Sequence, residues 1–290
     1  MISLALFLVM VALGLHPPAM PFGQLKRRPG WLLRVLLTTC VGIPVAALLL
    51  LRSPLGQGLS PAMAMALMVM AICPSAPLIS LKSRLVAGNA ALAARLQLCS
   101  SCAAIVSVPL WVHQLPVDAA EPLWSISASD VAAQVFSVQV LPLLLGMSLR
   151  HWCSAWAERW NPVIQKAASI LLLMLLAVVL VVALPKVSLA LIADLRGALL
   201  MLLLTLIALV LGYAIASDDP TERSTIPLVM AMRNPGLALL LVQKMAPEAS
   251  DVKAAIVGYV VMTAIGMTPF LRWRKSLADP AHESQARKKG

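Results

Sequence analysis

Nine stretches of this chain are apolar over about the depth of a lipid bilayer, and that limits what it can fold into. A helix needs roughly 20 residues to cross the hydrocarbon core. Runs of that order lie at 1–15, 31–51, 60–87, 90–115, 129–149, 164–184, 190–216, 222–246 and 249–271, the first of them short. Hydrophobic residues make up 60% and charged ones 12%, so a soluble sphere of 290 residues could not hide its apolar surface. The expectation is an all-α integral membrane protein with nine transmembrane helices. Disorder, a collagen-like fibre, a disulfide scaffold and a cytosolic enzyme are excluded at this step. The first 15 residues carry no basic n-region and read as a spanning helix rather than a cleaved signal.

The formal charge of +11 would suggest nucleic acid in a soluble protein, but here the positive charges gather in short loops and the tail. With the N-terminus outside, the inner segments carry Lys26, Arg27, Arg28, Arg84, Arg150, Arg159, Lys166, Arg223, Arg272 and the five basic residues of the tail, fourteen of the 23 basic residues. The outer segments carry Arg52, Lys186, Arg196, Lys244 and Lys253. The expected orientation is N-outside and C-inside, in a bacterial cytoplasmic membrane, with the bilayer and not nucleic acid as partner. The five cysteines are an odd number, and Cys99 and Cys102 form a CxxC with no second pair. They read as small residues at a helix contact, so no metal site is expected. No cofactor is expected either, a sodium ion being the one case left open.

Two of the nine runs are interrupted, one at Cys73-Pro74-Ser75-Ala76-Pro77 and one at Arg233-Asn234-Pro235-Gly236. An unpaired backbone group in hydrocarbon costs several kcal/mol, so a helix does not break there without a reason. Pro77 and Pro235 each lack an N–H and suit the first turn of a new half-helix, whose N-terminus offers free amides and a partial positive charge. Similar punctuation follows each break: Ser107-Val108-Pro109-Leu110-Trp111 after the first and Met267-Thr268-Pro269-Phe270-Leu271 after the second. An offset of five spans puts the two units in opposite orientations. The reading is an inverted repeat, 1–128 with four spans and 129–272 with five, followed by a basic cytoplasmic tail at 273–290. Matching broken helices of this kind mark the binding site of a secondary transporter.

Met230-Ala231-Met232-Arg233-Asn234-Pro235-Gly236-Leu237-Ala238-Leu239 and Ala71-Ile72-Cys73-Pro74-Ser75-Ala76-Pro77-Leu78-Ile79-Ser80 resemble the two crossover motifs of the bile acid:sodium symporter family. Val86-Ala87-Gly88-Asn89-Ala90-Ala91-Leu92 is similar to the family's turn before its next helix. The resemblance implies core and panel domains, two discontinuous helices crossing in the core, and an organic anion as substrate, often carried with sodium. Sodium-coupled members have an acidic residue a few positions before the second-motif Asn and a Gln directly before it. Here Val229, Met230, Ala231 and Met232 fill the upstream stretch, Arg233 stands at the Gln position, and Ile79-Ser80 falls opposite the first motif's Ser-Asn pair.

The candidate substrate-binding residues are therefore Arg233, Asn234, Gly236, Ser75 and Ser80. An ion-binding set of Ser80, Gln97, Ser100, Ser101 and Asn234 would be degenerate, because no acidic residue falls at mid-membrane and the guanidinium opposes a cation. At ~4 Å, an effective dielectric of ~20 gives roughly 4 kcal/mol of repulsion. Arg233 reads two compatible ways: as a fixed positive charge that replaces sodium or meets a substrate carboxylate, or as a cap on the C-terminal carbonyls of the first half-helix. The expected function is alternating-access transport of a small or amphipathic organic anion, with atypical or absent sodium coupling. The alternative is arsenite efflux on the same architecture with Cys73 as thiolate ligand. A membrane enzyme would need a nucleophile with its base, or a metal cluster, and the sequence offers neither.

Overall fold

The computed structural model describes residues 2–15, 28–76, 79, 83, 86, 88–112, 114–115 and 128–278. Among them every regular element is helical, and the one β-type pairing is a single bridge. The helices are α1 (Ile2–Gly14), α2 (Pro29–Arg52), α3 (Pro61–Ile72) and α4 (Ala90–Val112). Next come α5, built of Ala128–Val135, a π turn at Phe136–Val140 and Leu141–Trp152, then α6 (Ser154–Ala193) and α7 (Leu195–Ile215). The chain continues through α8 (Pro220–Ala231) and α9 (Pro235–Met245) to α10 (Ser250–Ala278). Among the described residues four helices are long and apolar enough to cross a membrane: α2, α4, α7 and the Ser250–Leu277 stretch of α10.

The centre of the molecule is α3. Its residues from Met65 to Ile72 are all buried, which is how a helix apolar on every side must sit. It packs against α2, α4, α7, α9 and α10. The inner part of α8, Ser224 to Ala231, is likewise buried throughout and lies along α7 and α4. At the rim, α1 and α5 cross so closely that a Cβ on Gly14 would come within 2.3 Å of the Leu143 carbonyl oxygen. Arg150 of α5 closes the end of α1 by donating from a guanidinium nitrogen to the Leu15 carbonyl at 3.1 Å.

Helix α2 contains a π turn at Thr38–Gly42, and its cause is Pro44. In a regular helix Pro44 would donate to the Cys40 carbonyl, and it has no N–H to do so. The backbone widens: Ile43 N–H reaches back five residues to the Thr38 carbonyl. The carbonyls of Thr39 and Cys40 are then taken up from other helices, Cys40 accepting from the Trp111 indole N–H at 2.8 Å. The same pairing of a π turn with a following proline recurs in α5, where Phe136–Val140 precedes Pro142.

One boundary differs from the sequence reading. Separate spans at 164–184 and 190–216 would place a turn near 184–190, whereas α6 continues through Pro185 to Ala193. Forty residues make a helix of roughly 60 Å, longer than the ~40–45 Å thickness of a whole bilayer. The turn falls at Asp194 because its carboxylate caps α7, accepting from Gly197 N at 2.8 Å, while its other oxygen accepts from Ser60 N at 2.8 Å. One aspartate thus joins the starts of α7 and α3.

Partial burial pushes the Asp194 carboxyl up, but the Ser60 and Gly197 amides outweigh it and hold the group below its ordinary value of 3.8. A depressed carboxylate contributes stability that is present above the unfolded pKa and lost as pH falls through the folded one. Asp194→Ala is expected to cost about 1–2 kcal/mol, a lost cap plus an unmet amide. Melting curves of purified protein at pH 7 and near pH 3 check this: the gap between wild type and variant should shrink at the acid end.

Candidate functional site

The two interruptions meet. After α3 ends at Ile72, the chain leaves helical geometry at Cys73, and after α8 ends at Ala231 it does so at Met232. The two extended pieces run antiparallel, with Ser75 paired to Arg233 in a β-type bridge. Ala76 N–H donates to the Met232 carbonyl at 2.8 Å, and the Ser75 hydroxyl donates to the Val229 carbonyl at 2.8 Å. Ser75, Arg233 and Asn234 are all buried, at 1%, 3% and 0% exposure. Backbone groups that a broken helix would leave unpaired in lipid are satisfied by the other broken helix.

Pro235 begins α9 as the sequence suggested, and Asn234 caps it, its side-chain oxygen accepting from Leu237 N at 3.1 Å. Gly236 is the second residue of that helix and is half-buried. Pro77 and Ser80, and with them the start of the opposing half-helix, lie outside the described residues.

Arg233 does cap helix carbonyls, but those carbonyls belong to α3, the first half of the other interrupted helix. Its Nε donates to the Met70 carbonyl at 3.3 Å, and one terminal nitrogen donates to the carbonyls of Ala71 and Thr39, the latter at 3.2 Å. Each acceptor is available for a local reason. Met70 would be paired by the amide of residue 74, which is Pro74; Ala71 by residue 75, which has left the helix; Thr39 is released by the π turn. The negative end of the α3 dipole faces the guanidinium. The ionisable side chains close enough to feel its charge are Cys40, Cys73 and Tyr259, and no carboxylate pairs with it among the described residues.

Several buried polar atoms here have no protein partner. At the crossing they are the second terminal nitrogen of Arg233, the Asn234 Nδ2 and the Thr39 Oγ1. On α4, which packs against both α3 and α8, they include both amide atoms of Gln97, the hydroxyl of Ser101 and two guanidinium nitrogens of Arg95. Nδ2, the guanidinium nitrogens and Gln97 Nε2 are donors; Gln97 Oε1 accepts, and the hydroxyls can do either. Ser100 is occupied, its hydroxyl donating to the Gln97 carbonyl at 2.9 Å. Of the sequence-based candidates, Ser75, Arg233 and Asn234 come together at the crossing. Ser75 has spent its proton on Val229, leaving only acceptor capacity. Thr39, Tyr259 and Trp111 were not anticipated; Pro44 was the visible signal for the first.

Residues 3–189 match the family model described as the sodium bile acid symporter family. The chain belongs to that family. The matched part of this sodium bile acid symporter family member includes the first interruption and ends ahead of the second, where Arg233 lies. Family membership and the apolar helices make the chain an integral membrane protein. It is 25% identical over 283 residues to a rice (Oryza sativa subsp. japonica) protein described as a probable chloroplastic sodium/metabolite cotransporter. The alignment covers 94% of this chain and 63% of the rice protein, so the chain spans under two thirds of that relative's length.

Proposed function

We propose that this protein is a secondary transporter that moves a small or amphipathic organic anion across the bacterial cytoplasmic membrane by alternating access, with absent or atypical sodium coupling. The observation that carries the reading is the crossing itself: two broken helices paired at Ser75 and Arg233, with unpartnered buried donors on Arg233 and Asn234. In lipid such donors are costly unless a solute engages them, and an anion is the ligand that donors suit. Family membership and the rice cotransporter support transport as the activity.

In this account the chain spans the membrane nine times, N-terminus outside. The units 1–128 and 129–272 are inverted repeats, and residues 273–290 form a cytoplasmic tail. Arg233 and Asn234 donate to the anion, Gly236 and Ser75 admit it close to backbone, and Ser80 completes the proposed substrate-binding set. Gln97, Ser100, Ser101, Ser80 and Asn234 make a weak sodium site, since no carboxylate among the described residues neutralises the ion and Arg233 repels it. Access alternates when the core carrying the crossing rocks against the remaining helices.

Uptake of labelled organic anions into proteoliposomes tests this. Wild type should show saturable uptake of at least one anion. Asn234→Leu, which removes a cap and a donor, should lower it at least tenfold, the equivalent of about 1.4 kcal/mol. Wild-type uptake no greater than in empty liposomes for every anion, with inorganic oxyanions moving instead, would contradict the reading. That outcome would favour arsenite efflux, for which Cys73 and Cys40 supply two buried thiols beside Arg233. Cys73→Ser would then sensitise cells to arsenite.

A further inference from the structure

We infer that the Arg233 guanidinium occupies a monovalent-cation cage built of the Thr39, Met70 and Ala71 backbone carbonyls, so that the chain carries its own cation at the crossing and removing the side chain opens a site for a free one. The three acceptors come from two helices and converge on one charged group. All are hard neutral oxygens, the ligand type that replaces the hydration shell of an alkali ion. None is a carboxylate, so the cage offers helix-end partial charge and carbonyl dipoles, enough for a single positive charge and poor for a divalent one.

The carbonyls stay available whatever residue stands at 233. Pro74 withholds the amide that would pair Met70, and Pro44 forces the π turn that releases Thr39. Those acceptors lie in a fully buried region, where an unmet carbonyl is costly. Truncating Arg233 to Ala therefore leaves a guanidinium-shaped space facing three unsatisfied oxygens. Guanidinium itself fits it best, being planar with N–H donors on every side; sodium and potassium fit as oxygen-seeking ions.

The cage deepens the transport reading, because a tethered cation removes the need for a coupled one. Its test reads cation binding rather than transport, so the two fail separately. Full-length wild type, Arg233→Ala and Arg233→Gln are purified in detergent and melted in choline chloride at constant ionic strength. Guanidinium, sodium or potassium chloride is then substituted in the low millimolar range. Arg233→Ala should melt lower than wild type in choline and recover at least half of that loss with guanidinium, along a saturating curve. Arg233→Gln, with two N–H donors of its own, should lose less and respond less, and wild type should not respond. If Arg233→Ala yields no folded protein in choline, extraction in guanidinium or sodium should restore a monodisperse peak. An Arg233→Ala protein that no cation stabilises more than wild type, or that stays unfolded in all of them while Arg233→Gln melts like wild type in choline, overturns the inference.

Discussion

Arg233→Glu is expected to leave no folded protein in the membrane fraction. The three carbonyls that Arg233 serves would face a side chain with at most one donor, and that one only when protonated. Each carbonyl left unmet in a buried place costs about 1–3 kcal/mol. If the glutamate ionises, attraction to the negative end of α3 turns into repulsion: a unit charge against roughly half a charge at ~4 Å and an effective dielectric of ~20 is worth roughly 2 kcal/mol in each direction. The total approaches the ~5–15 kcal/mol that holds an ordinary protein together. Detergent extracts of cells expressing a fluorescent fusion, run by size exclusion, give the answer directly. A monodisperse peak at wild-type height would mean that the crossing does not depend on a cation at position 233.

Gly212→Leu should be nearly as severe, for a different reason. Here α7 lies so close to α8 that a Cβ on Gly212 would come within 2.5 Å of Pro227 Cα and 2.9 Å of its nitrogen. Backbone cannot move aside as a flexible side chain can, so α7 and α8 must separate. Overpacking usually costs about 1–3 kcal/mol, and contact with backbone belongs at or above the upper end. The displaced helix ends at Ala231, four residues beyond Pro227, and leads directly into the second interruption. Gly212→Ala should therefore lower uptake as well as melting temperature, since it moves Arg233 relative to α3. Unchanged uptake together with unchanged melting in Gly212→Ala would show that this contact is not tight.

Much of the site could be read from the sequence because its cause is local. Pro74 and Pro235 interrupt apolar runs, and Asn234 before Pro235 is a helix start written in residue types. The identity of Arg233's partners could not be read, because they lie 162, 163 and 194 positions away in sequence and are backbone atoms, which carry no letter. Pro44 was the available clue: a proline inside an apolar run releases carbonyls, and in lipid those carbonyls must find donors. The boundary between α6 and α7 was misplaced because Pro185, Lys186 and Ser188 punctuate the apolar run and read as a turn, whereas the helix continues through them to Ala193. What ends α6 is a cap at Asp194 tied to Ser60, 134 residues away.

The central claim is that the two interrupted segments lie side by side within the membrane. Ala76 and Met232 face each other across the pairing, with Ala76 N–H on the Met232 carbonyl, and neither contributes its side chain to the Arg233 carbonyl contacts. Cysteines placed at both positions, in a chain whose native cysteines are replaced by serine, should form a disulfide in intact membranes under mild oxidation. Opposed residues of an antiparallel pair have Cα atoms about 4.5–5.5 Å apart, within the usual span of that bond. Cleavage at a protease site inserted near residue 218 would then leave the halves joined until reductant is added. Halves that separate without reductant, while a control pair at Thr205 and Thr263, whose hydroxyls lie 3.3 Å apart on either side of the cleavage site, stays joined, would contradict the account.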